Sequence, residues 1–114
     1  MNVYNTMAIL KNNDEISICE GELDAVASEL AGIPAVGIPG RDNWKSFYYR
    51  MFLGYKTVYI LADGDQAGKD FAYDVMKTLP QGRIINMPEG EDVNSTIQKF
   101  GKNSVLKRMG KLSG

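Results

Sequence analysis

A chain of 114 residues has the length of one domain, and a hydrophobic share of 44% is enough for one compact core. Its 13 Lys and Arg against 14 Asp and Glu give a net charge of −1, so no global field draws it to nucleic acid; any such contact must be local or come from another domain. The lack of histidine excludes a serine–histidine triad and a histidine-ligated zinc, and the single cysteine, Cys19, excludes an internal disulfide and suits a reducing compartment.

No run of about 18 apolar residues is present, and the N-terminus lacks the basic-then-apolar order of a signal peptide. The expectation is a cytoplasmic domain without membrane contact. Residues 1–15 are polar and mixed and read as an N-terminal extension. Ile16–Cys19 is the first predicted strand, ended by Glu20–Gly21. Glu22 to Ala31 has helical spacing, with Leu23, Val26, Ala27 and Leu30 on one apolar face. Gly32 and Pro34 stop it. Ala35–Ile38 is a second short strand, closed by Pro39–Gly40. Asp42 or Asn43 is placed to cap a helix running to about Leu53. Thr57 to Ala62 is the third strand. Gln66 to Leu79 is a helix with Ala67, Phe71, Val75 and Leu79 as its inner stripe. Gly82–Met87 is the fourth strand. Val93 or Asn94 opens a short helix that Gly101 stops. Residues 101–114 read as a basic C-terminal tail, helical with a frayed end.

Strands and helices alternate at intervals of roughly 20 residues, which argues an α/β fold: a central parallel sheet of about four strands with helices on both faces. Right-handed crossovers put every strand's carboxyl end on one rim. Three of the strands lead into acids: Glu20 after the first, Asp63 and Asp65 after the third, Glu91 and Asp92 after the fourth. Each group alone also reads as a turn or a solvated loop. Together they fall on the rim where open α/β sheets place their ligands. Carboxylates gathered so closely repel unless a cation neutralises them, and a hard divalent ion such as Mg²⁺ suits oxygen donors. The chemistry suggested is metal-assisted phosphoryl transfer. Glu22 and Asp24 read as a first-turn acid pair on the helix dipole.

At these residues the chain resembles a known family. Cys19–Glu20–Gly21–Glu22–Leu23–Asp24–Ala25 is similar to the E-G-x-x-D-A signature of Toprim domains, a Rossmann-like fold. Asp63–Gly64–Asp65–Gln66–Ala67–Gly68 resembles their D-x-D motif in its primase form. Met87–Pro88–Glu89–Gly90–Glu91–Asp92–Val93–Asn94 resembles the primase run P-x-G-x-D-P-D. The match covers residues from about 15 to 100, and the Ala67–Gly68 pair points to the DnaG-type bacterial and phage primases. The resemblance implies a nucleotidyltransferase that joins ribonucleoside triphosphates into an RNA primer on a single-stranded DNA template. Glu20 would position metal or act as general base, Asp63 and Asp65 would hold Mg²⁺ or Mn²⁺, and Asp92 would be a further ligand. Asn94 stands where many primases have an Asp, which removes one charge and puts a second metal in doubt.

Possible nucleotide or DNA contacts are Lys69, Arg41, Lys45 and Asn94, with Trp44 beside the two cations of its loop for stacking. The zinc module and the basic subdomain of bacterial primases have no counterpart in these residues. The resemblance therefore implies one Toprim domain that works with other primase domains or subunits and a replicative helicase. A Toprim nuclease using the same acids, and a non-catalytic metal- or nucleotide-binding domain, are the alternatives.

Overall fold

The short apolar runs and the helical spacings become strands and helices in the computed structural model, which describes residues 14–38 and 46–111. In chain order these are β1 (Glu15–Cys19), α1 (Glu22–Leu30), β2 (Ala35–Gly37), a 3₁₀ helix (Ser46–Phe52), β3 (Thr57–Ala62), α2 (Gln66–Met76), β4 (Gly82–Asn86), α3 (Val93–Phe100) and α4 (Asn103–Arg108). The four strands form one sheet in the order β2-β1-β3-β4, and every pairing is parallel. The α/β sheet expected from the sequence is therefore the one observed. No helix among the described residues is long and apolar enough to cross a membrane.

Strand alternation divides the core in two. Ile16, Ile18, Val58 and Ile60 point to one face, where Phe71, Val75 and Leu79 cover them together with Phe52. Cys19, Tyr59, Leu61 and Ile85 point to the other, against Ala25, Val93, Val105 and Met109. Central strands covered on both sides need apolar residues in continuous runs, which is why Val58–Ala62 lacks the alternation of a half-exposed strand.

The register fixes the rim. Cys19 lies opposite Leu61, and Ala62 lies opposite Asn86, so Glu20, Asp63 and Met87 leave the sheet at nearly one level. The chain moves from β1 outward to β2, then returns past β1 to β3. Glu20 and Asp63 thus flank the point where the strand order reverses, which is where a crevice opens in such sheets.

Three sequence expectations change. First, the apolar face of α1 is not its buried face. Leu23 is 75% exposed and Leu30 83% exposed, while Asp24, Ala25 and Ser28 are buried. Small side chains let α1 approach the sheet and α3 closely, and that contact overrides the hydrophobic stripe. Second, the helix expected from Asp42 or Asn43 to Leu53 is a 3₁₀ helix over Ser46–Phe52; Arg41, Trp44 and Lys45 lie outside the described residues. Third, the basic tail is partly core. Val105 of α4 is fully buried and Met109 nearly so, and both join the cluster around Leu61.

Candidate metal centre

Asp63 follows the last residue of β3 and is half-buried. Its Oδ1 is buried and has no hydrogen-bond partner among the described residues. Such an atom is costly unless something else satisfies it. Burial is the largest cause pushing the Asp63 carboxyl up to about 8, and the charges of Asp24, Glu20, Asp92 and Asp65 push the same way. Asp63 is therefore the point on which four other acids converge, from the ends of β1 and β3 and the starts of α1, α2 and α3.

Asp65 and Asp92 have a second task. Asp65 is the N-cap of α2, and its Oδ1 accepts the Gly68 backbone N–H at 2.7 Å. Asp92 is the N-cap of α3. Its Oδ1 accepts the Ser95 N–H at 2.7 Å, and its own N–H donates to Ser95 Oγ at 3.0 Å, completing a capping box. Each aspartate is thereby held at the rim through one oxygen.

Glycines bring the rim loops into contact. A Cβ on Gly64 would lie 1.9 Å from the Pro88 carbonyl oxygen, and one on Gly68 would lie 2.3 Å from that of Asp63. Only the hydrogen of glycine fits these approaches. The Gly64 N–H donates to the Glu91 carbonyl at 2.8 Å, and the Gly90 N–H donates to the Gly64 carbonyl at 2.7 Å. The Asp63–Asp65 turn and the 88–92 loop are thus joined through their backbones.

Asp24 belongs to the cluster, contrary to its reading as a dipole partner of Glu22. It is only 7% exposed, whereas Glu22 is exposed. The Asn94 backbone N–H donates to Asp24 Oδ1 at 3.0 Å, and the charge of Asp24 acts on Asp63. Burial raises the Asp24 carboxyl above the usual range, outweighing the Asn94 hydrogen bond that lowers it. The available signal was its spacing: Asp24 lies one turn after Glu20, on the face shared by Ala25 and Ser28. Asn94 acts here through its backbone, while its side-chain oxygen accepts from Gln98 at 3.5 Å.

The remaining expected residues separate. Glu20 is half-buried at the end of β1, inside the cluster. Glu91 is drawn to Lys99 at 2.9 Å, and hydrogen bonding from Lys99 holds it below the usual carboxylate range. Lys69 is exposed in the first turn of α2. The Cys19 thiol is buried against Ser28 Oγ at 3.6 Å, and burial pushes it far up, so it is no nucleophile.

Among the described residues, no three His, Cys, Asp or Glu side chains are already grouped as a metal cage. The expected set Glu20, Asp63, Asp65 and Asp92 is not drawn together as a cage; Glu20, Asp65 and Asp92 instead act on Asp63 through their charge. The donor chemistry nonetheless fits a hard divalent cation: carboxylates only, one with a buried, unsatisfied oxygen. A cavity of about 630 Å³ lined by Glu15, Tyr59, Leu106 and Lys111 lies at the amino ends of β1 and β3, on the rim opposite the acids.

Comparison with known proteins agrees with this architecture. Residues 17–97 match the family described as Toprim-like. The chain is 52% identical over 107 residues to the Gene 57 protein of Mycobacterium phage D29, covering 94% of this chain and 70% of that protein. It is 32% identical over 104 residues to the DNA primase of Escherichia coli K12, covering 84% of this chain and 18% of the primase. The structure of the DnaG catalytic core superposes on 96% of this chain and 39% of its own length, with a TM-score of 0.74 and 27% identity. The DnaG primase catalytic domain bound to ssDNA superposes with a TM-score of 0.73 and 29% identity, over 96% of this chain and 38% of that one. The chain spans less than a fifth of the DNA primases it matches.

Proposed function

The chain belongs to the Toprim-like family, and we propose that it is the metal-binding catalytic domain of a DNA primase, active in RNA primer synthesis together with other domains or subunits. The observation that carries this reading is Asp63: a half-buried carboxyl with an unsatisfied oxygen, surrounded by four acids. A surplus of negative charge at the switch point of a parallel sheet is a site for a cation and the phosphates it accompanies.

Asp63 and Asp65 would hold Mg²⁺ or Mn²⁺, with Asp92 and Asp24 adding charge around them. When bound, the ion would neutralise the triphosphate and stabilise charge developing on the transferred phosphoryl group. Glu20, at the end of β1 beside β3, would accept the proton of an attacking 3′-hydroxyl. Asp65 and Asp92 are each held through one oxygen by the caps of α2 and α3, so a bound ion would order them at little further entropic cost. Single-stranded DNA as template, ribonucleoside triphosphates as substrates and a replicative helicase as partner belong to the same proposal. The −1 net charge supports a division of labour in which other domains supply most of the grip on DNA.

Titration of Mg²⁺ and Mn²⁺ into the isotopically labelled chain, followed by NMR, tests the centre. Resonances of Glu20, Asp63 and Asp65 should shift with Mg²⁺ and broaden with Mn²⁺ at millimolar metal, and the Asp63→Asn/Asp65→Asn variant should show neither change. Unaltered wild-type spectra would refute the metal centre. Primer synthesis by the isolated chain should be weak or absent. Metal-dependent cleavage of single-stranded DNA that is lost in Glu20→Gln would assign hydrolysis to the site instead.

A further inference from the structure

Beside the acidic rim runs an open groove of about 860 Å³ between the end of α3 and α4. Its walls include Pro88, Phe100, Asn103, Ser104, Lys107 and Arg108, and among the described residues lining it there is no carboxylate. Phe100 is 59% exposed and presents a large aromatic ring to the groove. From Val93 to Lys111 the chain carries five Lys or Arg and no Asp or Glu, although the whole chain is slightly acidic. Lys99 is taken up by Glu91 and Lys111 by Glu15. Lys107 and Arg108 face the groove, and Arg108 is oriented by donating from Nη1 to the Asn86 carbonyl at 3.0 Å. Its guanidinium has further donors to offer.

We propose that this groove binds a short stretch of single-stranded nucleic acid, with one base stacked on Phe100 and its flanking phosphates on Lys107 and Arg108. An exposed ring beside cations with no carboxylate partner among the described residues is the combination that holds single strands without sequence preference. Position supports this occupant. Pro88, one wall of the groove, packs its backbone directly on Gly64 in the turn between Asp63 and Asp65. A strand seated there runs past the acidic rim. The inference rests on the proposed function only for what the strand is for; the binding itself stands on the groove.

The test is fluorescence anisotropy of a short fluorescein-labelled oligothymidylate with the full chain, at low salt and in chelator. Without metal the assay reads the groove alone: a chain with a groove but no metal centre still binds, and the converse chain does not. Phe100→Ala should weaken binding by about tenfold and Phe100→Trp should retain it. Lys107→Gln should weaken it and lower the slope of log affinity against log salt by about 0.7. Both side chains are exposed, so circular dichroism of the variants should match the wild type. Phe100→Ala binding within about twofold of wild type, or inorganic polyphosphate displacing the oligonucleotide equally well from wild type and Phe100→Ala, would overturn the proposal.

Discussion

Asp63 keeps its proton at a pH where a surface aspartate has lost it. In the folded chain its carboxyl is pushed up to about 8, against 3.8 for an ordinary aspartate. The folded state therefore binds more protons than the unfolded state between those values, and stability falls as pH rises through that window. The contribution is complete below about 4 and gone above about 8. Solvent reaching the half-buried carboxyl screens much of it, leaving about 1–2 kcal/mol. Urea unfolding in chelator should accordingly give a lower free energy at high pH than at mildly acidic pH. Asp63→Asn should flatten that dependence and be the more stable protein in alkali, while losing metal-induced shifts. Gly64 makes the opposite case. Gly64→Ala places a methyl group where the Pro88 carbonyl already lies, so the two loops must part. A loss of about 1–3 kcal/mol by denaturant titration is expected, together with weaker metal binding.

At the scale of elements, the residue that caps α3 is also one of the acids whose charge acts on Asp63. Asp92→Ala removes the capping box and should lower stability by about 1 kcal/mol. Asp92→Asn keeps an N-cap acceptor for the Ser95 N–H while removing the charge, so it should fold nearly as well but bind Mg²⁺ more weakly. Thermal melts paired with metal titrations separate the two roles. Helix α1 shows why sequence pattern alone misplaced a face. Its largest apolar residues, Leu23 and Leu30, lie outside, and Ala25 and Ser28 lie inside, because a short loop after Glu20 sets the helix rotation and close packing favours small residues. Leu30→Gln should change stability by less than about 0.5 kcal/mol, whereas Ala25→Leu should cost about 1–3 kcal/mol. The same rotation turns Asp24 inward, toward Asp63, where the sequence suggested only a first-turn acid on the helix dipole. Helix α2 was legible because Phe71 and Val75 share one buried face, though it ends at Met76, short of the expected Leu79, which is buried just beyond it.

For the whole molecule, the parallel sheet followed from regular alternation of strand and helix, and the rim followed from the sheet. Glu20, Asp63, Asp65 and Asp92 were visible as acids following strands; their convergence depends on register, which no local pattern encodes. The capping duties of Asp65 and Asp92 were hidden because metal ligand and helix cap call for the same residue type. Val105 and Met109 were missed as core because basic neighbours on α4 masked a two-residue apolar face. The backbone joint between Gly64 and the 88–92 loop has a consequence for how such domains diversify. Neither loop has an independent shape to vary. An exchange of the Asp63–Asp65 turn with that of a distant relative has to carry the 88–92 loop with it, so the two segments form a single cassette although a helix and a strand separate them in the chain.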